Sequence, residues 1–232
     1  MEDSKIYIIK ISSYRESSNL YDAIAKDYGK ITFIHKGIKS NTKKSQLELF
    51  TSYKVDWSGK GDIKFLRNYE IDSKNFLDKD FYIIGLYFNE LIYYLARNDY
   101  QIETLYDHYY IHINNLKKEE NLLVNLNNFE IGLLRLIGNY IIFDIDVHDN
   151  EVEENQKYSY DPEHGPRLNS QSQQIYSGET LLALSGKIPY SEICLKESRV
   201  LMKRLIDYYI RPKKIMTREI LKYTNFKYLV NL

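Results

Sequence analysis

At 232 residues, with 44% hydrophobic and 28% charged side chains, the chain has enough material to bury a core in one large domain or two small ones, with the balance of a globular protein. Its single cysteine, Cys194, excludes an internal disulfide and a cysteine-built zinc cage; no run reaches the roughly 18 apolar residues of a membrane span, and residues 1–11 lack a signal layout, so a cytoplasmic location is expected. Formal net charge is zero, which excludes a uniformly basic nucleic-acid binder and leaves only a locally basic one.

The first seventy residues read as strands. Residues 5–11 are apolar and Ile-rich; residues 19–26 follow a polar turn; Tyr28-Gly29 turns the chain into residues 30–36, where Ile31, Phe33 and His35 alternate with Thr32 and Ile34. Residues 50–57 form a further strand with Tyr53, Val55 and Trp57 on one face. Ser58-Gly59-Lys60-Gly61 is a hairpin turn into residues 62–71, where Ile63, Phe65 and Arg67 alternate with Lys64 and Leu66. Five short strands with glycine turns suit a small closed barrel, and the OB fold is the common solution at this size.

The period then changes. Ile84, Phe88, Leu91 and Leu95 share one helical face, and further helices are expected over residues 102–116 and 129–137, the latter closed by Gly138. Residues 144–174 are polar and acidic, with Pro162, Gly165 and Pro166, and read as an irregular excursion holding one short hairpin. A short helix opens at Ser177 and ends at Gly186; Ser191 caps a long one through Tyr209, stopped before Pro212; Thr217 caps a last one through Tyr228. The expected class is α+β, with a barrel over residues 1–78 and a mostly helical domain over 79–232 that contains the irregular stretch 141–175.

Charge is segregated along this layout. Residues 26–67 carry ten Lys/Arg against four acids, residues 144–163 eight acids against one Lys, and residues 196–232 ten Lys/Arg against three acids. Two basic blocks therefore flank an acidic middle; the plain alternative is a set of solvated faces. The 23 tyrosines fit the codon bias of an AT-rich genome and are not read as a binding feature.

The order of local patterns resembles the RecO family of bacterial recombination mediators. The resemblance rests on Tyr14-Arg15-Glu16-Ser17-Ser18, Gly29-Lys30, His35-Lys36-Gly37-Ile38-Lys39-Ser40, Leu49-Phe50-Thr51, Gly59-Lys60-Gly61-Asp62 and Leu66-Arg67-Asn68-Tyr69-Glu70. It continues through Gly85-Leu86-Tyr87-Phe88-Asn89-Glu90-Leu91, Phe129-Glu130-Ile131-Gly132-Leu133-Leu134 and Thr217-Arg218-Glu219. No single piece is specific; the ordered set is. The resemblance implies an OB barrel leading a helical domain, and a non-enzymatic role in DNA repair. That role is binding single- and double-stranded DNA, annealing complementary strands and helping RecA replace single-strand binding protein, in concert with RecR. Two departures stand out. Many relatives bind zinc through four cysteines in the excursion, where this chain has Asp144, Asp146, His148, Asp149 and His164, so no metal or other cofactor is expected. Asn127-Asn128 stands where relatives often place arginine.

For sequence-independent binding of a strand, physics asks for cations along a groove and aromatics for bases. Lys36, Lys39, Lys43 and Lys44 on one segment, Lys60, Lys64 and Arg67 on the next hairpin, and Arg15 in the first turn are the expected phosphate contacts. Tyr53, Trp57 and Phe33 at alternating strand positions are assigned to the core rather than to stacking. The C-terminal block Arg199, Lys203, Arg204, Arg211, Lys213, Lys214 and Arg218 is expected to rim an apolar Leu201–Leu205 face that receives the acidic, aromatic-ended tail of single-strand binding protein; the alternative is a helix with its polar face in water. No GxxxxGK[ST], HExxH or Cys-His nucleophile pattern is present, so an enzyme is not expected. A protein-interaction scaffold with little DNA binding, and an OB-fold RNA binder, are the competing readings.

Overall fold

The computed structural model describes residues 2–14, 16, 18–36, 46–97, 102, 104–116, 122–168 and 174–223. They fall into two compact units, residues 1–117 and 118–232.

In the first unit, β1 (Glu2–Tyr14), β2 (Ser18–Ala25), β3 (Gly29–Lys36), β4 (Thr51–Ser58) and β5 (Ile63–Lys74) close a barrel in the order β1-β2-β3-β5-β4. All pairings are antiparallel except β3 with β5, which closes the barrel through a short parallel ladder from Thr32↔Ile63 to Ile34↔Phe65. This is the expected OB barrel. Its core holds Ile6, Ile8, Tyr21, Ala23, Phe33, Tyr53, Val55 and Trp57, so Tyr53, Trp57 and Phe33 are core residues, as their alternation implies. β1 is buried on both faces, which explains its unbroken Ile6-Tyr7-Ile8-Ile9 run: Ile6 and Ile8 face the barrel core, while the Tyr7 ring packs against Tyr106 and Tyr109 at 5.2 and 5.1 Å.

Those two tyrosines belong to α2 (Leu105–Asn115), which with α1 (Lys79–Leu95) shares the barrel's compact unit. Lys30 on β3 reaches the end of α1, where its Nζ donates to the Tyr93 and Ala96 carbonyls at 2.7 and 3.1 Å. The change from strand to helix lies between Lys74 and Lys79, whereas the compact unit runs on to residue 117.

The second unit contains α3 (Leu122–Leu136), β6 (Lys157–Asp161), β7 (Gly165–Leu168), β8 (Tyr176–Ser177), α4 (Gly178–Ser185), α5 (Glu192–Ile210) and α6 (Met216–Leu221). The acidic excursion does hold a hairpin, β6–β7, extended to a three-stranded sheet by β8. Ser177 and Ser191 cap α4 and α5 through their hydroxyls, as expected. Gly138, at φ 91°, closes α3 with Gly138 N–H on Arg135 O and Asn139 N–H on Leu134 O, a Schellman pair.

α3 starts seven residues before its predicted start at Phe129. Asn125, Asn127 and Asn128 weaken the helical signal, but Asn125 and Asn127 are buried and Asn127 is claimed by α5: its amide donates to Ser198 Oγ at 2.8 Å and its carbonyl accepts from Arg199 at 2.8 Å. The last helix is predicted through Tyr228; α6 ends at Leu221, and residues 224–232 lie outside the described set.

Candidate nucleic-acid interface

The turn between β4 and β5 is a compact cationic site. Gly59, at φ 113°, makes a bend that side chains resist, and Lys60 sits exposed at its tip beside Asp62. From β5, Lys64 Nζ reaches back to the Gly59 carbonyl at 3.4 Å, and Arg67 Nε donates to Ser58 Oγ at 2.8 Å. A register shift between Asp56 and Trp57 makes this possible. Asp56 pairs with Asn68 and Trp57 with Leu66, which leaves Arg67 as the extra residue of a bulge and re-aims it toward Ser58. Of Lys60, Lys64 and Arg67, predicted together from sequence, the last two are thus anchored on Ser58, at the end of β4, and Gly59 in the turn, next to Lys60.

Phe65 stands between Lys64 and Arg67 in sequence and was not among the expected site residues. It pairs with Ser58 on β4 and Ile34 on β3, would meet any side chain placed at Gly59, and is 39% exposed. Ile63 is likewise exposed, and Tyr28, in the β2–β3 turn at the same end of the barrel, stands edge-on to Trp57 at 5.1 Å and is 37% exposed. The available signal was apolar side chains at both parities of one strand: Leu66 takes the core, so Ile63 and Phe65 are left outside.

The other candidates divide. Arg15, Lys39, Lys43 and Lys44 lie outside the described residues, and Lys36 ends β3 with its side chain outside them. Elsewhere on the barrel, three cations are tied to acids: Lys5 to Asp72, Lys54 to Glu70 and Lys74 to Glu48, at 2.9, 3.1 and 2.9 Å. The Lys5 ammonium, through its hydrogen bond, lowers the Asp72 carboxyl below its ordinary range.

The predicted C-terminal rim needs correction. Arg199 is 4% exposed and locked onto Glu130, so it is a structural residue of the α3–α5 packing. Leu201 and Leu205 are core, so the apolar face they were to offer a partner is filled from within. Lys203 and Arg204 are half-buried, and Arg218 is paired with Asp207. Arg211, whose guanidinium lies 5.6 Å from the Tyr208 ring centroid, Lys213 and Lys214 remain exposed after the end of α5.

In the excursion, Asp146 is used locally: its carboxylate accepts from the His148 and Asn150 N–H groups at 2.8 and 2.9 Å. Asp161 in the same way caps the β6–β7 turn through Glu163 and His164. Among the described residues no three His, Cys, Asp or Glu side chains converge as a metal site, and no helix is long and apolar enough to cross a membrane.

Barrel closure, strand order and a basic hairpin define an OB-fold protein with helices packed on the barrel and a second, largely helical unit. Comparison with known proteins places the architecture. The family described as Recombination protein O N terminal matches residues 1–74, and Recombination protein O C terminal matches residues 78–213. The DNA repair protein RecO of Polynucleobacter necessarius is 32% identical over 232 residues, covering 94% of this chain and 95% of that protein. That of Coxiella burnetii is 30% identical over 224 residues (93% and 95%), and that of Cupriavidus metallidurans 29% over 223 (93% and 75%). The chain belongs to the RecO family of DNA repair and recombination proteins.

Proposed function

We propose that this protein is a cytoplasmic, non-enzymatic recombination mediator. It binds single- and double-stranded DNA, anneals complementary strands, and with RecR helps RecA replace single-strand binding protein. The observation that carries the reading is the gathering of Lys60, Lys64 and Arg67 around Ser58 and Gly59 on a family barrel. Three cations at one turn neutralise adjacent phosphates and release condensed counterions, an attraction that does not read sequence. Annealing then needs charge neutralisation and strand juxtaposition, with no covalent step. The barrel, residues 1–78, carries the DNA; the helical part, 79–232, carries the partners, with the exposed Arg211, Lys213 and Lys214 meeting the acidic tail of single-strand binding protein.

Titration of a labelled single-stranded oligonucleotide at several salt concentrations tests the interface. Binding that falls steeply with salt is expected, and replacing Lys60, Lys64 and Arg67 together by Gln lowers the log–log salt slope by about 2, at roughly 0.7 per phosphate contact. Absence of binding at low salt would favour a protein-interaction scaffold with little DNA affinity of its own.

A further inference from the structure

Trp57 and Leu66 face each other across the β4–β5 ladder, and both point into the barrel core. Their chain neighbours Ser58 and Arg67 project from the outer face, because side chains on a strand alternate, and Asp56 projects there by the same rule. In an unbroken antiparallel register the residue directly across from Asp56 would be Arg67. The bulge prevents this: Asp56 pairs with Asn68 instead, whose amide donates to Asp56 Oδ2 at 3.2 Å. A neutral amide thus takes the place across from the acid, and the arginine is handed to a neutral hydroxyl, Ser58 Oγ, which accepts from its Nε at 2.8 Å. Among the described residues that hydroxyl is the one partner of Arg67, whereas Lys5, Lys54 and Lys74 on the same barrel are each paired with an acid. An arginine held through Nε keeps both terminal nitrogens available to fork onto two oxygens of one phosphate, and loses less rotamer freedom in doing so. A carboxylate in the place of the hydroxyl would cancel the charge that the phosphate needs.

Taking the hairpin as the DNA interface, on which this inference rests, we propose that Ser58 is its positioning residue. Through Nε it holds Arg67 away from Asp56 with the charge intact and the two terminal nitrogens set for one backbone phosphate. Ser58 itself does not touch the strand. Removing its hydroxyl leaves the number of cations unchanged, but the bound strand must then immobilise a loose arginine, which weakens binding by about three- to ten-fold.

The test is a double-variant cycle on a labelled homothymidine strand, read as affinity and as salt slope, with wild type, Ser58→Ala, Ser58→Thr, Arg67→Lys and Ser58→Ala/Arg67→Lys. Ser58→Ala should bind about three- to ten-fold more weakly at an unchanged salt slope, and Ser58→Thr, which restores a hydroxyl, should bind like wild type. Arg67→Lys keeps the charge but has no Nε, so it should also weaken at an unchanged slope, and adding Ser58→Ala to it should cost nothing more. An equal loss from Ser58→Ala in both backgrounds would mean that the hydroxyl meets the strand itself or merely supports the barrel, and overturns the positioning role while the interface stands. Wild-type affinity in Ser58→Ala, or a loss in Ser58→Thr as large as in Ser58→Ala, overturns it as well. Wild-type affinity in the Lys60→Gln/Lys64→Gln/Arg67→Gln variant overturns the interface and the positioning role together. Emission from Trp57, the only tryptophan and the chain neighbour of Ser58, reports whether the barrel is intact in each variant.

Discussion

Arg199 of α5 and Glu130 of α3 form a two-pronged ion pair sealed from solvent: Arg199 Nη1 lies 2.7 Å from Glu130 Oε2, and Nη2 lies 2.9 Å from Oε1. Nη1 also donates to Asn127 Oδ1 at 2.8 Å, so one guanidinium joins two positions of α3.

Removing either charge strands the other in a dry core. Glu130→Ala or Arg199→Ala should therefore cost about 3–5 kcal/mol, read from urea unfolding. Replacing both together with Leu and Met should recover most of that loss, because an apolar pair of similar volume carries no desolvation penalty. If the double variant is as unstable as the single ones, the pair's role is specific geometry rather than charge balance.

Lys30 is a barrel residue that serves a helix. Its buried ammonium satisfies the Tyr93 and Ala96 carbonyls at the end of α1, where the helix dipole favours a cation, and the Tyr93 ring lies 4.7 Å from it. Lys30→Met leaves those carbonyls without their donor and should destabilise the first unit by about 1–3 kcal/mol. Hydrogen exchange at the last turn of α1 should accelerate in the variant; unchanged protection there would mean that water replaces the ammonium at no cost.

Burial, reinforced by the neighbouring Tyr106, pushes the Tyr7 hydroxyl up to about 12 against hydrogen bonds from Ser73 and Asn75 that pull it down. A group whose pKa is raised on folding favours the folded state fully below its unfolded pKa of about 10 and loses that contribution as pH climbs toward its folded value. Stability of the wild type should thus fall between about pH 10 and 12. Tyr7→Phe, which cannot ionise, should show a shallower fall over that window when urea midpoints are compared at pH 8 and pH 11. An identical fall in both proteins would place the alkaline sensitivity on other buried tyrosines such as Tyr109.

Much of the fold was legible in local pattern. Alternation of Tyr53, Val55 and Trp57 marks a half-buried strand because side chains on a strand change face at every residue, and those three are in the core. Ser177 and Ser191 mark helix starts because their hydroxyls satisfy the first free N–H groups, and both do so. The cluster Lys60, Lys64 and Arg67 was legible for the same reason: a tight hairpin brings near sequence neighbours together.

What escaped depended on partners distant in sequence. Arg199 looks like any other residue of a basic helix until Glu130, 69 positions away, is placed against it. The Asn-rich start of α3 reads as a break until Ser198 and Arg199 satisfy Asn127. The alternation of Phe65 with Leu66 leaves open which of the two faces the core until barrel closure gives the core to Leu66 and the surface to Phe65. The sequence by itself determined the element types, the barrel and the place of the basic hairpin, because periodicity, caps and turns are local physics. The tertiary structure alone decided which charges are free and which aromatic faces solvent, because burial is a property of the whole packed chain.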